Sequence, residues 1–287
     1  MRVLITGGSS LLGKTLSESR PDNIILDSTW YTNHVPSLTM HHMDVCNKSQ
    51  VTYVFERAKP DVVIHCAAVG SVDYTEGHFT ETRNVNVLGT ENVLKAAQDS
   101  KALFVYISTN AVFDGSAPPY DETHHRQPVN RYGSIKREAE NIVMASRNWL
   151  IIRPFMLYGY PYPGGRGNWF TAILSLLSGG ETAKLVDDTY WQPSLALDVA
   201  QAIWRLIELG KRDEIYHVAG DERLTLFWFG MMIARLWGYS PDLIVPISSS
   251  SLKGIAPRPR DTTFKLDKIH ELGIKLRNVE EGLKVLK

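Results

Sequence analysis

The chain has 287 residues, 44% of them hydrophobic and 22% charged, with 31 basic against 31 acidic side chains. A chain of that length buries roughly three quarters of the surface it exposes when unfolded, and its apolar content excludes a disordered polymer. Zero net charge offers no general field for nucleic acid or an anionic membrane, so any anion site must be local.

Two cysteines, Cys46 and Cys66, are too few for a disulfide framework and have no zinc-like spacing. The opening Met1-Arg-Val-Leu-Ile-Thr-Gly lacks the apolar run of a secretory signal, and no stretch approaches the roughly 20 apolar residues that span a bilayer. A cytoplasmic protein is expected, with no nucleic-acid or membrane partner. A homodimer is compatible with the sequence.

In chain order, residues 2–6 predict a strand, and Thr6-Gly7-Gly8-Ser9-Ser10-Leu11-Leu12-Gly13 follows it directly, opening a helix over 11–19. Glycines there let the backbone turn tightly beside a pyrophosphate, whose charge is met by free N–H groups at a helix start. A second strand over 23–27 ends on Asp27, twenty residues after Gly7. A carboxylate there can bind adenosine ribose hydroxyls and disfavour a 2′-phosphate, which leans toward NADH; a polar strand end is the alternative. A helix over 48–58, a strand over 62–66, a helix over 79–99, a strand over 103–108, a helix over 131–147 and a strand over 149–153 complete the pattern. Strands alternating with helices in this way predict an α/β fold, a Rossmann-type doubly wound parallel sheet.

Tyr132 and Lys136 stand four residues apart on the predicted helix 131–147 and so share a face. An ammonium beside a phenol lowers the phenol's pKa toward the range of a general acid. Thr109, where the strand over 103–108 ends, can donate a hydrogen bond to the same carbonyl oxygen.

After Arg153 the composition changes: residues 154–168 are rich in Gly, Pro and aromatics and predict a loop. Helices follow over 169–179, 197–210, 225–237 and 278–286, with a strand over 214–218. The expected division is a dinucleotide-binding domain over 1–153, with returns near 188–218, and a smaller C-terminal substrate lobe formed by 154–187 and 219–287. Arg258 and Arg260, set among prolines, can grip a nucleotide-sugar pyrophosphate bidentately or form a solvated basic loop. Tyr158, Tyr160, Tyr162 and Trp169 can stack on a base or pack the lobe. The pairs His41-His42 and His124-His125 lack companions at ligand spacing, so no metal is expected.

The glycine turn resembles the T-G-x-x-G-x-x-G fingerprint of extended short-chain dehydrogenases, with Ser10 at the middle glycine. With Ser108-Thr109, Tyr132-x-x-x-Lys136, Arg153-Pro-Phe-Met-Leu-Tyr-Gly, Gly167-Asn168-Trp-Phe, Gln192-Pro-Ser-Leu-Ala-Leu-Asp, His217-Val-Ala-Gly and Arg258-Pro-Arg260-Asp, the chain from about residue 1 to about 275 resembles the dTDP-4-dehydrorhamnose reductases. The resemblance implies NADPH or NADH as cofactor, held by Gly7, Ser10, Leu11, Leu12, Gly13 and Asp27, by Asp44-Val45 at the adenine, by Cys66, Ala67 and Ala68 across the strand ends, and by Tyr132 and Lys136. It implies a nucleotide-sugar substrate met by Asn110, Met156, Asn168, Arg258 and Arg260. The family has Asp where this chain has Asn110 and Trp where it has Met156. The same constellation serves nucleotide-sugar epimerases and dehydratases that keep NAD bound. The fold also resembles the regulatory β subunit of methionine adenosyltransferase, a binding module without turnover.

Overall fold

The computed structural model describes residues 1–35, 40–252 and 256–287. Its frame is β1 (Arg2–Thr6), α1 (Leu11–Glu18), β2 (Ile25–Trp30), β3 (Met40–His42), α2 (Lys48–Ala58), β4 (Val62–His65), α3 (Val72–Gly77), α4 (Phe79–Arg83), α5 (Gly89–Asp99), β5 (Leu103–Ile107), α6 (Arg131–Met144) and β6 (Trp149–Pro154). The second half adds β7 (Leu157–Tyr158), α7 (Trp169–Ser178), β8 (Ala183–Val186), β9 (Tyr190–Trp191), β10 (Ser194–Leu195), α8 (Ala196–Glu208), β11 (Glu214–Val218), β12 (Leu224–Thr225), α9 (Leu226–Trp237), β13 (Ile244–Ile247), α10 (Asp267–His270) and α11 (Val279–Leu286).

Seven strands form one parallel sheet in the order β11-β6-β5-β4-β1-β2-β3. The central strands are apolar on both faces, as Val62-Val-Ile-His65 and Leu103-Phe-Val-Tyr-Ile107 show, because helices cover both sides of a parallel sheet. Val3, Ile5, Ile64, Val105 and Ile152 pack under α1 and α8, while Leu4, Val63, Phe104 and Ile151 pack under α2, α5 and α6. A third apolar cluster joins α7, α9, α11, β8 and β13 around Phe170, Leu185 and Phe229.

The chain leaves β1 toward β2 on one side and returns through β4 on the other. That reversal opens a crevice at the carboxyl ends of β1 and β4, where open α/β sheets hold ligands.

The expected sheet and helices are observed with three changes. β2 begins and ends later than predicted, at Ile25 and Trp30, so Asp27 lies inside the strand opposite Leu4 and not at its end. The helix expected over 79–99 is interrupted by a π turn, Asn84–Leu88, between α4 and α5. β3, α3 and the short strands of the second half carry too few residues for a periodic signal.

Candidate functional site

The glycine turn sits at the crevice. Gly7 has φ +67° and its main chain lies against Ala67, so a Cβ there would meet Ala67 N at 2.7 Å. A Cβ on Gly13 would stand 2.5 Å from the Gly7 carbonyl oxygen, so only glycine lets the first turn of α1 close onto the strand end. Ser10, at the family's middle glycine, is the N-cap of α1, its hydroxyl accepting from Gly13 N at 3.1 Å. Leu11 and Leu12 then hold the first two N–H groups of the helix, which have no intrahelical acceptor. The turn therefore fits a dinucleotide diphosphate: a cradle empty of side chains, with amides and the positive helix end facing it.

Across the crevice, α6 is fixed by its cap. The Asn130 side chain accepts from Gly133 N at 2.8 Å and donates to the Pro257 carbonyl at 3.0 Å. A Cβ on Gly133 would be 2.1 Å from the Ala111 carbonyl oxygen, so this glycine lets α6 press onto the segment after β5. That approach brings Thr109 to Tyr132. Burial pushes the Tyr132 hydroxyl up to about 12, against the pull of the Arg166 guanidinium and the Thr109 hydroxyl.

Lys136 is buried, its ammonium donating to the Ile107 carbonyl at 2.7 Å and lying 4.1 Å from the centre of the Tyr106 ring. Burial pushes it down to about 7, opposed chiefly by the charge of Glu140. The expectation that Lys136 lowers the phenol is thus corrected: with Lys136 turned to Ile107, the cation that acts on Tyr132 is Arg166.

One further turn along α6, Glu140 accepts from Arg153 Nε and Nη2, both at 2.8 Å, and from Arg126 Nη1 at 2.8 Å. Arg153 and Glu140 are fully buried, and burial alone would raise the Glu140 carboxyl; the Arg153 guanidinium holds it below the usual carboxylate range. His217 joins the network 3.2 Å from Arg153 Nη1, and burial beside that cation keeps its imidazole neutral.

Cys66, Ala67 and Ala68 follow β4 beside the glycine turn; burial pushes the Cys66 thiol up to about 12. Asp44 accepts from Cys46 N at 2.8 Å, and Val45 packs on Gly89. Asn110 follows Thr109 and donates to the Thr262 hydroxyl at 2.8 Å. Met156 has φ +31°, an unfavourable backbone conformation for a side chain with Cβ, and packs where the first and third clusters meet.

Asp27 is not at the end of its strand as expected, and three expected ligand groups have protein partners. Asp27 points to Arg2 and His41, at 3.6 and 3.4 Å, within the strand; the residues level with the glycine turn are Thr29, whose carbonyl accepts from Gly8 N, and Trp30 beyond it. Asn168 spends its oxygen capping α7 and its amide on the Gly159 carbonyl. Arg258 is paired bidentately with Asp73 at 2.9 and 2.8 Å, and both Arg258 and Arg260 are exposed. Of the aromatics, Tyr158 and Tyr162 are buried, and Tyr160 and Trp169 are exposed. His41 faces Asp27 and His124 faces Asp121 at 2.8 Å; among the described residues no group of three His, Cys, Asp or Glu side chains is arranged for a metal ion. No helix among them is long and apolar enough to cross a membrane.

The sequence reading missed Arg166, whose only signal was a lone arginine between glycines. It also missed Asn86, a buried side chain that accepts from Val69 N at 2.8 Å and donates to its carbonyl at 3.0 Å, shaping the loop after β4.

A family model described as RmlD substrate binding domain matches residues 1–286. A dTDP-4-keto-6-deoxy-D-glucose reductase from Streptomyces niveus is 28% identical over 276 residues, covering 95% of this chain and 91% of the relative. Methionine adenosyltransferase 2 subunit beta from Xenopus tropicalis is also 28% identical, covering 95% and 83%. Among solved structures, dTDP-4-dehydrorhamnose reductase from Bacillus anthracis in complex with NADP superposes with a TM-score of 0.88 at 30% identity, covering 99% of this chain and 98% of the other.

Proposed function

Because the chain belongs to the family described as RmlD substrate binding domain, we propose that it reduces a keto group on a nucleotide-linked sugar with NADPH or NADH, most like the dTDP-4-dehydrorhamnose reductases. The observation that supports this reading is that Thr109 lies beside Tyr132, and that Lys136, one turn further along α6, bonds Ile107 at the end of β5. When bound, the dinucleotide supplies hydride to the keto carbon.

Tyr132 gives its phenolic proton to the carbonyl oxygen, and its raised pKa keeps that proton on the phenol across the working pH range. Thr109 donates a hydrogen bond to the same oxygen as charge develops on it. Lys136 fixes the floor of the pocket through Ile107 and offers the remaining ammonium hydrogens to the nicotinamide ribose. Gly7, Leu11, Leu12 and Gly13 hold the cofactor's diphosphate, Asp44, Val45, Cys66, Ala67 and Ala68 border its path, and Asn110 and Met156 face the sugar. In this reading residues 1–153, with the returns near 188–218, carry the dinucleotide, and 154–187 with 219–287 carry the substrate. A cytoplasmic location goes with the two free thiols.

The test is to incubate the purified protein with a panel of nucleotide-linked 4-keto-sugars and follow the absorbance of NADPH and NADH. Oxidation of cofactor matched by reduced sugar supports the reading; conversion of sugar without cofactor consumption refutes it. The relatives named methionine adenosyltransferase 2 subunit beta favour a second reading, a dinucleotide-binding regulatory subunit. It predicts bound cofactor, no turnover, and co-purification with a larger enzyme.

A further inference from the structure

Arg166 stands near the end of a loop whose two ends are tied together. The Asn168 amide donates to the Gly159 carbonyl at 2.8 Å, and Gly165 N turns back onto the Tyr162 carbonyl at 2.8 Å. The base of the loop packs on α1: Leu11 Cδ1 lies 3.5 Å from where Gly159 would carry a Cβ, and the Lys14 ammonium sits 5.4 Å from the centre of the Tyr162 ring. From that base the loop reaches across the crevice. Arg166 Nη1 comes within 3.4 Å of where a Cβ would project from Gly70, in the loop that follows β4.

The guanidinium is exposed, and no carboxylate pairs with it among the described residues. Its charge is the one that pulls on the Tyr132 hydroxyl, so it stands within electrostatic reach of the oxygen that donates the proton. Arg258, expected to meet a pyrophosphate, is occupied by Asp73. A planar fork of N–H donors with no internal partner, held at the mouth of a nucleotide-sugar site, matches the geometry and charge of a diphosphate. The glycine turn and the start of α1 fit the cofactor's diphosphate, while the guanidinium lies toward Gly70 and acts on Tyr132.

We propose that Arg166 binds the diphosphate of the nucleotide-linked substrate. The proposal rests on the reductase reading for the identity of the substrate and makes Arg166 its specificity residue.

The experiment uses the full chain loaded with NADP, titrated calorimetrically with dTDP and with thymidine, for the wild type, Arg166→Gln, Arg166→Lys and Gly70→Val. The wild type is expected to bind dTDP more tightly than thymidine, and Arg166→Gln to weaken dTDP by about tenfold to a hundredfold while leaving thymidine unchanged. Arg166→Lys should recover part of the loss, since it keeps the charge without the fork. Gly70→Val should reproduce the loss by displacing the guanidinium. NADPH affinity, followed by fluorescence, should stay within about twofold in every variant, and in turnover KM for the sugar nucleotide should rise more than kcat falls.

A loss confined to NADPH would assign Arg166 to the cofactor and overturn the proposal. So would unchanged dTDP binding in Arg166→Gln, a wild type that does not bind dTDP, or a shifted pH profile of kcat with KM intact, which would place its action on the phenol. Because titration needs no turnover, a wild type that binds dTDP through Arg166 yet reduces no sugar refutes the reductase reading and leaves this assignment standing.

Discussion

Lys136 donates to the main-chain oxygen of Ile107 at 2.7 Å, tying the middle of α6 to the end of β5. The bond fixes the helix that carries Tyr132, one turn earlier and beside Thr109, so the phenol is positioned by the frame of the fold.

Tyr132→Phe removes the phenolic proton and leaves the glycine turn untouched. Turnover is expected to fall by about a hundredfold to ten-thousandfold, the usual contribution of a general acid. Cofactor affinity, read by fluorescence quenching, should change little; a variant that reduces sugar at near the wild-type rate would remove Tyr132 from the acid's role.

The pH dependence follows from Lys136. Burial lowers its pKa to about 7, so the ammonium is present below that pH and lost above it, while Tyr132, raised to about 12, keeps its proton throughout. The ratio kcat/KM for the cofactor, which reports ionisations of the ligand-free enzyme, should therefore decline above about pH 7, by up to tenfold per unit. A profile flat to pH 9 would show that the charge on Lys136 is not required.

Asp27 lies within β2 facing Arg2 and His41 and not at the strand end, so it should not choose between phosphorylated and unphosphorylated cofactor. Asp27→Asn is expected to move the ratio of NADPH to NADH affinities by less than about threefold, under ~0.7 kcal/mol. A larger swing toward NADPH would restore this carboxylate to the ribose.

Glu140→Gln should leave Arg153 buried without its full counter-charge, costing about 3–5 kcal/mol in urea unfolding. Replacing both partners with apolar residues of similar volume should recover much of that loss. If the single variant unfolds at the wild-type urea concentration, the buried pair contributes little to stability.

The sheet was legible because its strands are short and apolar on both faces, and because the glycine turn, Tyr132 and Lys136 carry their spacing in plain sequence. Asp27 was misplaced since the register between β1 and β2 is set by pairing across the sheet, which residue spacing does not reveal. Asn168 and Arg258 were read as ligand groups because their partners, Gly159 and Asp73, lie 9 and 185 residues away. Arg166 escaped notice for a similar reason: its neighbour Gly70, 96 positions earlier in the chain, approaches it only when the chain folds.

The closure of Asn168 onto Gly159 makes residues 159–168 a cassette with joined ends, seated on α1. Because its ends are bonded to each other, the span of this segment is set by that bond as well as by its seat on α1. With Arg166 as the proposed diphosphate ligand, this decapeptide grafted into a related scaffold should carry that contact with it.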